Sequence, residues 1–291
     1  MNHKLTLLLS TIICSLFLNG CAVSPKQYDT QQSRALNIAR AGGIYDQDLQ
    51  DSSDGTNSSD GTNSYKKSLL LRALNATALL TSLDAPLSGM TGAQTLAFNA
   101  GNIMATPDNP SARPSLMAWM PKTEATNTDD ARIKFEELVD ASLINTAQNM
   151  GMIVEKLADK GITMPKLNGW DINIWTVDAP QFGCKPEHCV IATHVARIND
   201  WQTPEFITSG PGASFILDSN HPSQYSRIIF QQTTEKVSFP VDEFYRQLSA
   251  NLPAWSAMYF PPNTVFKDGQ TLPYPVLYEH GQQLMFVTPQ S

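Results

Sequence analysis

Cys184, His188, Cys189 and His194 lie close enough along the chain to do chemistry together. The two thiols can oxidise to a disulfide. All four side chains can gather a zinc ion, which takes thiolate and imidazole tetrahedrally. The thiols can also stay free or act as a redox pair. Zinc needs its ligands to converge, and adjacent His188 and Cys189 could hardly both turn inward on an extended chain. A dithiol redox site keeps two residues between its cysteines, whereas Lys185, Pro186, Glu187 and His188 make four here. Elsewhere Ser214, Asp218 and His221 supply the residue types of a nucleophile, an orienting acid and a base, but such trios arise by chance in chains of this length. The sequence contains no H-E-x-x-H, G-x-S-x-G, Walker A or G-x-G-x-x-G motif. Adjacent carboxylates each have a structural explanation. Asp129–Asp130 suits a helix start, Glu136–Glu137 a solvated helix face, and Asp242–Glu243 a first helical turn. Trp170 and Trp175 could line a sugar groove, but tryptophans in strands more often pack the sheet. No catalytic residue, metal ligand or cofactor is assigned.

The elements around these residues divide the chain at about position 165. Residues 65–83 carry Leu69, Ala73, Ala76, Leu80 and Leu83 at helical spacing, and residues 90–105 carry Ala93, Leu96, Ala97, Ala100 and Met104. A proline-broken connection follows over 106–126, with Leu116, Met117, Trp119 and Met120 folding back onto the body. A long helix is predicted over 129–160, unless it kinks near Gly151, capped by Thr128 and buried along Phe135, Val139, Leu143, Ala147, Met150, Val154 and Leu157. Beyond Pro165 the pattern alternates, giving strands over 170–177, 190–198, 214–217 and 227–233. A helix opens at Phe239-Pro240, and a hairpin turns at His280-Gly281. The predicted fold is α+β: a helical region over 65–165, then a mainly antiparallel sheet with one short helix over 166–291.

The N-terminus states an address. Lys4 begins a short positive segment, and an apolar run extends from Leu5 to Leu18, shorter than the ~20 residues that span a bilayer. It ends in Leu18-Asn19-Gly20-Cys21. This resembles the lipobox of bacterial lipoprotein signal peptides, with Asn19 in a slot usually held by Ala, Ser or Thr. The resemblance implies that residues 1–20 are removed as a signal peptide, that Cys21 receives diacylglyceryl, and that its new amine is acylated, commonly with palmitate. Ala22, rather than Asp, implies the outer membrane, facing the periplasm. Residues 21–64 then read as a flexible tether. They include the tandem hexapeptides 52–57 and 58–63, both Ser-Ser-Asp-Gly-Thr-Asn, and a coil of this length spans roughly 35–40 Å. With Cys14 in the leader and Cys21 acylated, Cys184 and Cys189 remain as a pair. In an oxidising compartment that parity favours the disulfide.

Composition sets the outer limits. The chain has 291 residues, 42% of them hydrophobic, so burial can offset the entropy of ordering. The net charge is −7, falling to −8 without Lys4, and no basic run occurs. A nucleic-acid partner is therefore not expected. The function that follows is a membrane-anchored, non-catalytic periplasmic lipoprotein that docks partner proteins of an envelope, secretion or conjugation assembly. The alternative is a ligand-binding or hydrolytic periplasmic protein with a cleft between its helical lobe and its sheet.

Overall fold

The computed structural model describes residues 27–45, 49–53, 109–167, 169–207, 212–219, 225–232, 237–262, 265–267, 270–271 and 274–289. The helices expected over 65–83 and 90–105, Cys21 and His221 lie outside them. Three helices are described: α1 (Arg34–Ala41), α2 (Thr128–Asn149) and α3 (Val241–Asn251). The strands are β1 (Ser115–Pro121), β2 (Ile153–Lys156), β3 (Lys166–Leu167), β4 (Trp170–Asp171), β5 (Asn173–Asp178), β6 (Cys189–His194) and β7 (Asn199–Thr203). They continue with β8 (Gly212–Leu217), β9 (Arg227–Gln232), β10 (Ser256–Phe260), β11 (Val265–Lys267), β12 (Gln270–Thr271), β13 (Val276–Glu279) and β14 (Gln282–Met285). A six-stranded sheet runs β14-β13-β10-β1-β8-β7 and a four-stranded sheet runs β2-β5-β6-β9, with β3–β4 and β11–β12 as two short ribbons. All of these strand pairings are antiparallel.

β1 organises the molecule. It lies between β10 and β8, and near its start the Leu116 amide donates to the Ser226 carbonyl at 2.7 Å, one residue before β9. The two sheets therefore meet along β1. Its side chains alternate between two cores: Leu116, Ala118 and Met120 face α2, α3 and the four-stranded sheet, while Met117 and Trp119 face α1. A strand buried on both faces carries an unbroken apolar run instead of an alternating one. For that reason the segment expected to fold back as part of a connection is a central strand.

The N-terminal side of the body also departs from expectation. Part of the stretch read as tether is packed structure. Ser33 caps α1, its hydroxyl accepting from the Leu36 amide at 3.0 Å, and Ala35, Leu36, Ile38 and Ala39 bury against the six-stranded sheet. Gly42 lets the helix end approach β1, since a Cβ there would lie 1.9 Å from the Met117 sulfur. Ser33 bonds Asp51, and Arg34 forms a bidentate pair with Glu279 at 2.6 and 2.7 Å. Ser52 then bridges Val287 in parallel, adding the strap to the sheet.

The long helix ends early. Asn127, not Thr128, is the cap, its side-chain oxygen accepting from the Asp129 and Asp130 amides at 3.0 Å. Gly151 takes φ +66°, which only glycine adopts freely, and the chain leaves α2 for β2. The expected strands and terminal hairpin are present within a few residues of their predicted bounds. The hairpin turns on His280 at φ 51° and Gly281 at φ 79°, the paired positive values of a tight primed turn.

Candidate functional site

Cys184 and Cys189 form a disulfide, with Cα atoms 5.5 Å apart and both residues fully buried. A short 3-10 turn at Pro180–Phe182 and left-handed Gly183 bring the chain round, and Ala179 and Cys184 close the loop through mutual backbone hydrogen bonds at 3.1 Å. Beside it lies a cleft of about 380 Å³ bordered by Asp178, Pro180, Lys185, Pro186 and Glu187. This cleft offers charge of both signs, but its lining has no imidazole, hydroxyl or free thiol. With both cysteines bonded to each other, the zinc arrangement loses its thiolates. Among the described residues, no three His, Cys, Asp or Glu side chains are grouped to hold a metal ion.

His194 is sealed inside the molecule, 1% exposed. Its Nδ1 lies 3.3 Å from the Asp171 carbonyl, so Nδ1 carries the proton. Nε2 is left without a hydrogen-bond partner among the described residues. Burial moves the imidazole down to about 4, partly opposed by the Asp171 bond and reinforced by the nearby Arg227 cation. It is a neutral side chain at neutral pH. Arg227 pairs with it across β6 and β9, and Tyr225 precedes that strand. The Tyr225 ring is flanked by two buried guanidinium groups, with Arg113 Cζ 3.6 Å and Arg227 Cζ 4.8 Å from its centroid. Arg113 also donates to the Ser219 carbonyl at 2.6 Å. Stacking a weakly hydrated guanidinium on an aromatic face is a way to bury a cation. The cluster occupies the joint between the sheets and is closed to solvent, which suits it to holding the sheets together. Ser214, in β8, is 3% exposed, and no arrangement with Asp218 and His221 is described.

The surface carries a different feature. Four large aliphatic side chains stand in solvent on α2 and β2: Ile133, Leu138 and Ile144 at 49%, 38% and 39% exposure, and Ile153 at 62%. Ile133 and Ile144 are about three helical turns apart, so they share one line of α2. That line also carries Glu137 and Asp140 and lies about 130° round the helix from the buried stripe of Phe135, Val139 and Leu143. Ile153 opens β2, which among the described residues pairs to β5 at the edge of its sheet. Lys156 bonds Asp140 at 2.6 Å, tying β2 to α2. Further along α2, Arg132 pairs with Glu136 at 2.7 Å and lies over the Trp170 ring at 4.5 Å, while Asn173 donates to Glu136 at 2.6 Å. The helix is thus fastened to β2, β4 and β5 through Arg132, Glu136 and Asp140, and Ile133 and Ile144 stand on its polar outer face.

Sequence periodicity marked the buried stripe of α2 but not this outer line. A helical wheel of 128–149 would have exposed Ile133 and Ile144 as misfits on a polar face. Ile153 was hidden because the helix was carried through Gly151. No protein-family model, no curated protein and no solved structure matches the chain.

Proposed function

We propose that this chain is a membrane-anchored envelope lipoprotein, acylated on Cys21, that docks partner proteins through the outer face of α2 and the adjoining edge strand β2. It acts as a non-catalytic part of an envelope, secretion or conjugation assembly, in the periplasm at the outer membrane. The helices read over 65–83 and 90–105 belong to this proposal as the helical portion that precedes the sheets. The observation that carries it is the exposure of Ile133, Ile144 and Ile153 on α2 and the strand that follows it. Isolated apolar side chains on a surface are ordinary. Three branched aliphatics exposed on consecutive elements support a face that a partner covers. The buried disulfide fits an oxidising compartment.

The test places a photo-crosslinking amino acid at Ile144 or Ile153 in the native host. The expected result is a discrete adduct with an envelope protein, lost when Ile133→Asp is added. A control position at Glu187 gives no such adduct. Equal, diffuse labelling at all three positions would remove the docking face.

A further inference from the structure

We infer that the corner formed by Tyr28, Phe206 and Ile207 rests directly on the lipid surface, so that this body lies against the membrane instead of standing off it. The inference rests on the acylation of Cys21 proposed above and adds an orientation to it. Three observations lead there. First, the earliest packed contacts among the described residues are those of Tyr28 and Asp29, seven and eight residues beyond Cys21. A fully extended chain of seven residues reaches at most about 25 Å, and a flexible one averages roughly 15 Å, so the side of the body that carries Tyr28 stays within reach of the headgroups.

Second, the entry point is fixed in the fold. The Asp29 amide donates to Asn37 Oδ1 at 2.8 Å, and Asn37 donates back to the Asp29 carbonyl at 2.9 Å. Ser33 and Arg34 are tied to Asp51 and Glu279. The side of the molecule that carries Gln27 and Tyr28 must therefore be the side nearest the anchor. Third, that side has chemistry suited to a headgroup layer. Tyr28 is 42% exposed and meets Phe206 edge-on with ring centroids 5.3 Å apart, and Phe206 and Ile207 are both only partly buried in the turn after β7. Tyrosine has an apolar body and a polar tip, and it favours the boundary between hydrocarbon and water. Among the described residues no helix is long and apolar enough to cross a membrane, so the contact is with the surface.

The experiment uses the full, lipidated chain reconstituted in phosphatidylethanolamine–phosphatidylglycerol vesicles doped with an alkyne-tagged phospholipid. A photo-crosslinker replaces Tyr28, Phe206 or, as control, Glu187. Lipid adducts are expected at Tyr28 and Phe206 and not at Glu187. Inserting a Gly/Ser stretch of about 40 residues after Ala22 should abolish them, because the mean span then grows to roughly 35–40 Å, while the protein stays in the membrane fraction. If Cys21 is acylated but positions 28 and 206 label lipid no more than 187, or if the insertion changes nothing, the orientation is overturned and the anchor stands. If mass spectrometry finds no lipid on Cys21, the anchor and the orientation both fall.

Discussion

His194 shows how a single side chain ties stability to pH. In the unfolded chain its imidazole titrates near the ordinary value of 6.5, and in the fold burial moves it to about 4. Above the unfolded value both states are neutral, and the folded state carries no penalty. As pH falls from 6.5 toward 4, the unfolded chain takes up a proton that the folded one refuses, and stability drops by something on the order of 2–3 kcal/mol. Urea unfolding at about pH 7 and about pH 4.5 should show this loss, and His194→Gln should reduce it. An unaltered pH dependence in the variant would contradict the assignment. The disulfide gives a second residue-scale expectation. Replacing Cys184 and Cys189 with serine should cost about 2 kcal/mol, since so short a loop removes little unfolded-state entropy, read as a lower urea midpoint. At this scale the sequence was most informative about cysteine: parity and spacing pointed to the right partners. It offered His194 only as a possible zinc ligand and said nothing of Tyr225 and the two buried arginines, because the contacts among them cross between strands distant in sequence.

At the scale of elements, α2 shows both a packed and an exposed face. Phe135 is fully buried and its ring centroid lies 5.4 Å from that of Trp255. Phe135→Ala should destabilise the protein by about 3–5 kcal/mol through lost transfer energy and a cavity, whereas Ile144→Ala on the outer line should shift the urea midpoint little. The two variants together separate the packed face from the free one. Period alone gave α2, α3 and the terminal hairpin, because amphipathic helices and a positive-φ turn write their geometry locally. It missed β1, whose two-sided burial erases alternation. It extended α2 past Gly151, because Val154 and Leu157 fell on the helical stripe by coincidence of spacing. α1 lies within the stretch predicted as tether, where a helix of eight residues is a short signal beside the low-complexity repeats at 52–63. Its own signals, Ser33 before Leu36, Ile38 and Ala39, were present in the sequence.

For the whole molecule, the decisive feature is that residues on both sides of position 165 build the same sheets. β1 and β2 come from the stretch read as helical, and they pair with β8, β10 and β5 from beyond it. Among the described residues α2 and α3 pack on the sheets around a common core; the helices expected over 65–83 and 90–105, which would form one wall of the expected cleft, lie outside them. In the proposed function this body sits close to a lipid anchor and presents α2 and β2 outward. Both proposals depend on acylation of Cys21, which intact-mass analysis of the mature protein from its own host would read. An N-terminal Cys21 bearing a diacylglyceryl thioether and an acylated amine is expected. A mature chain that starts at another residue, or an unmodified Cys21, would overturn them.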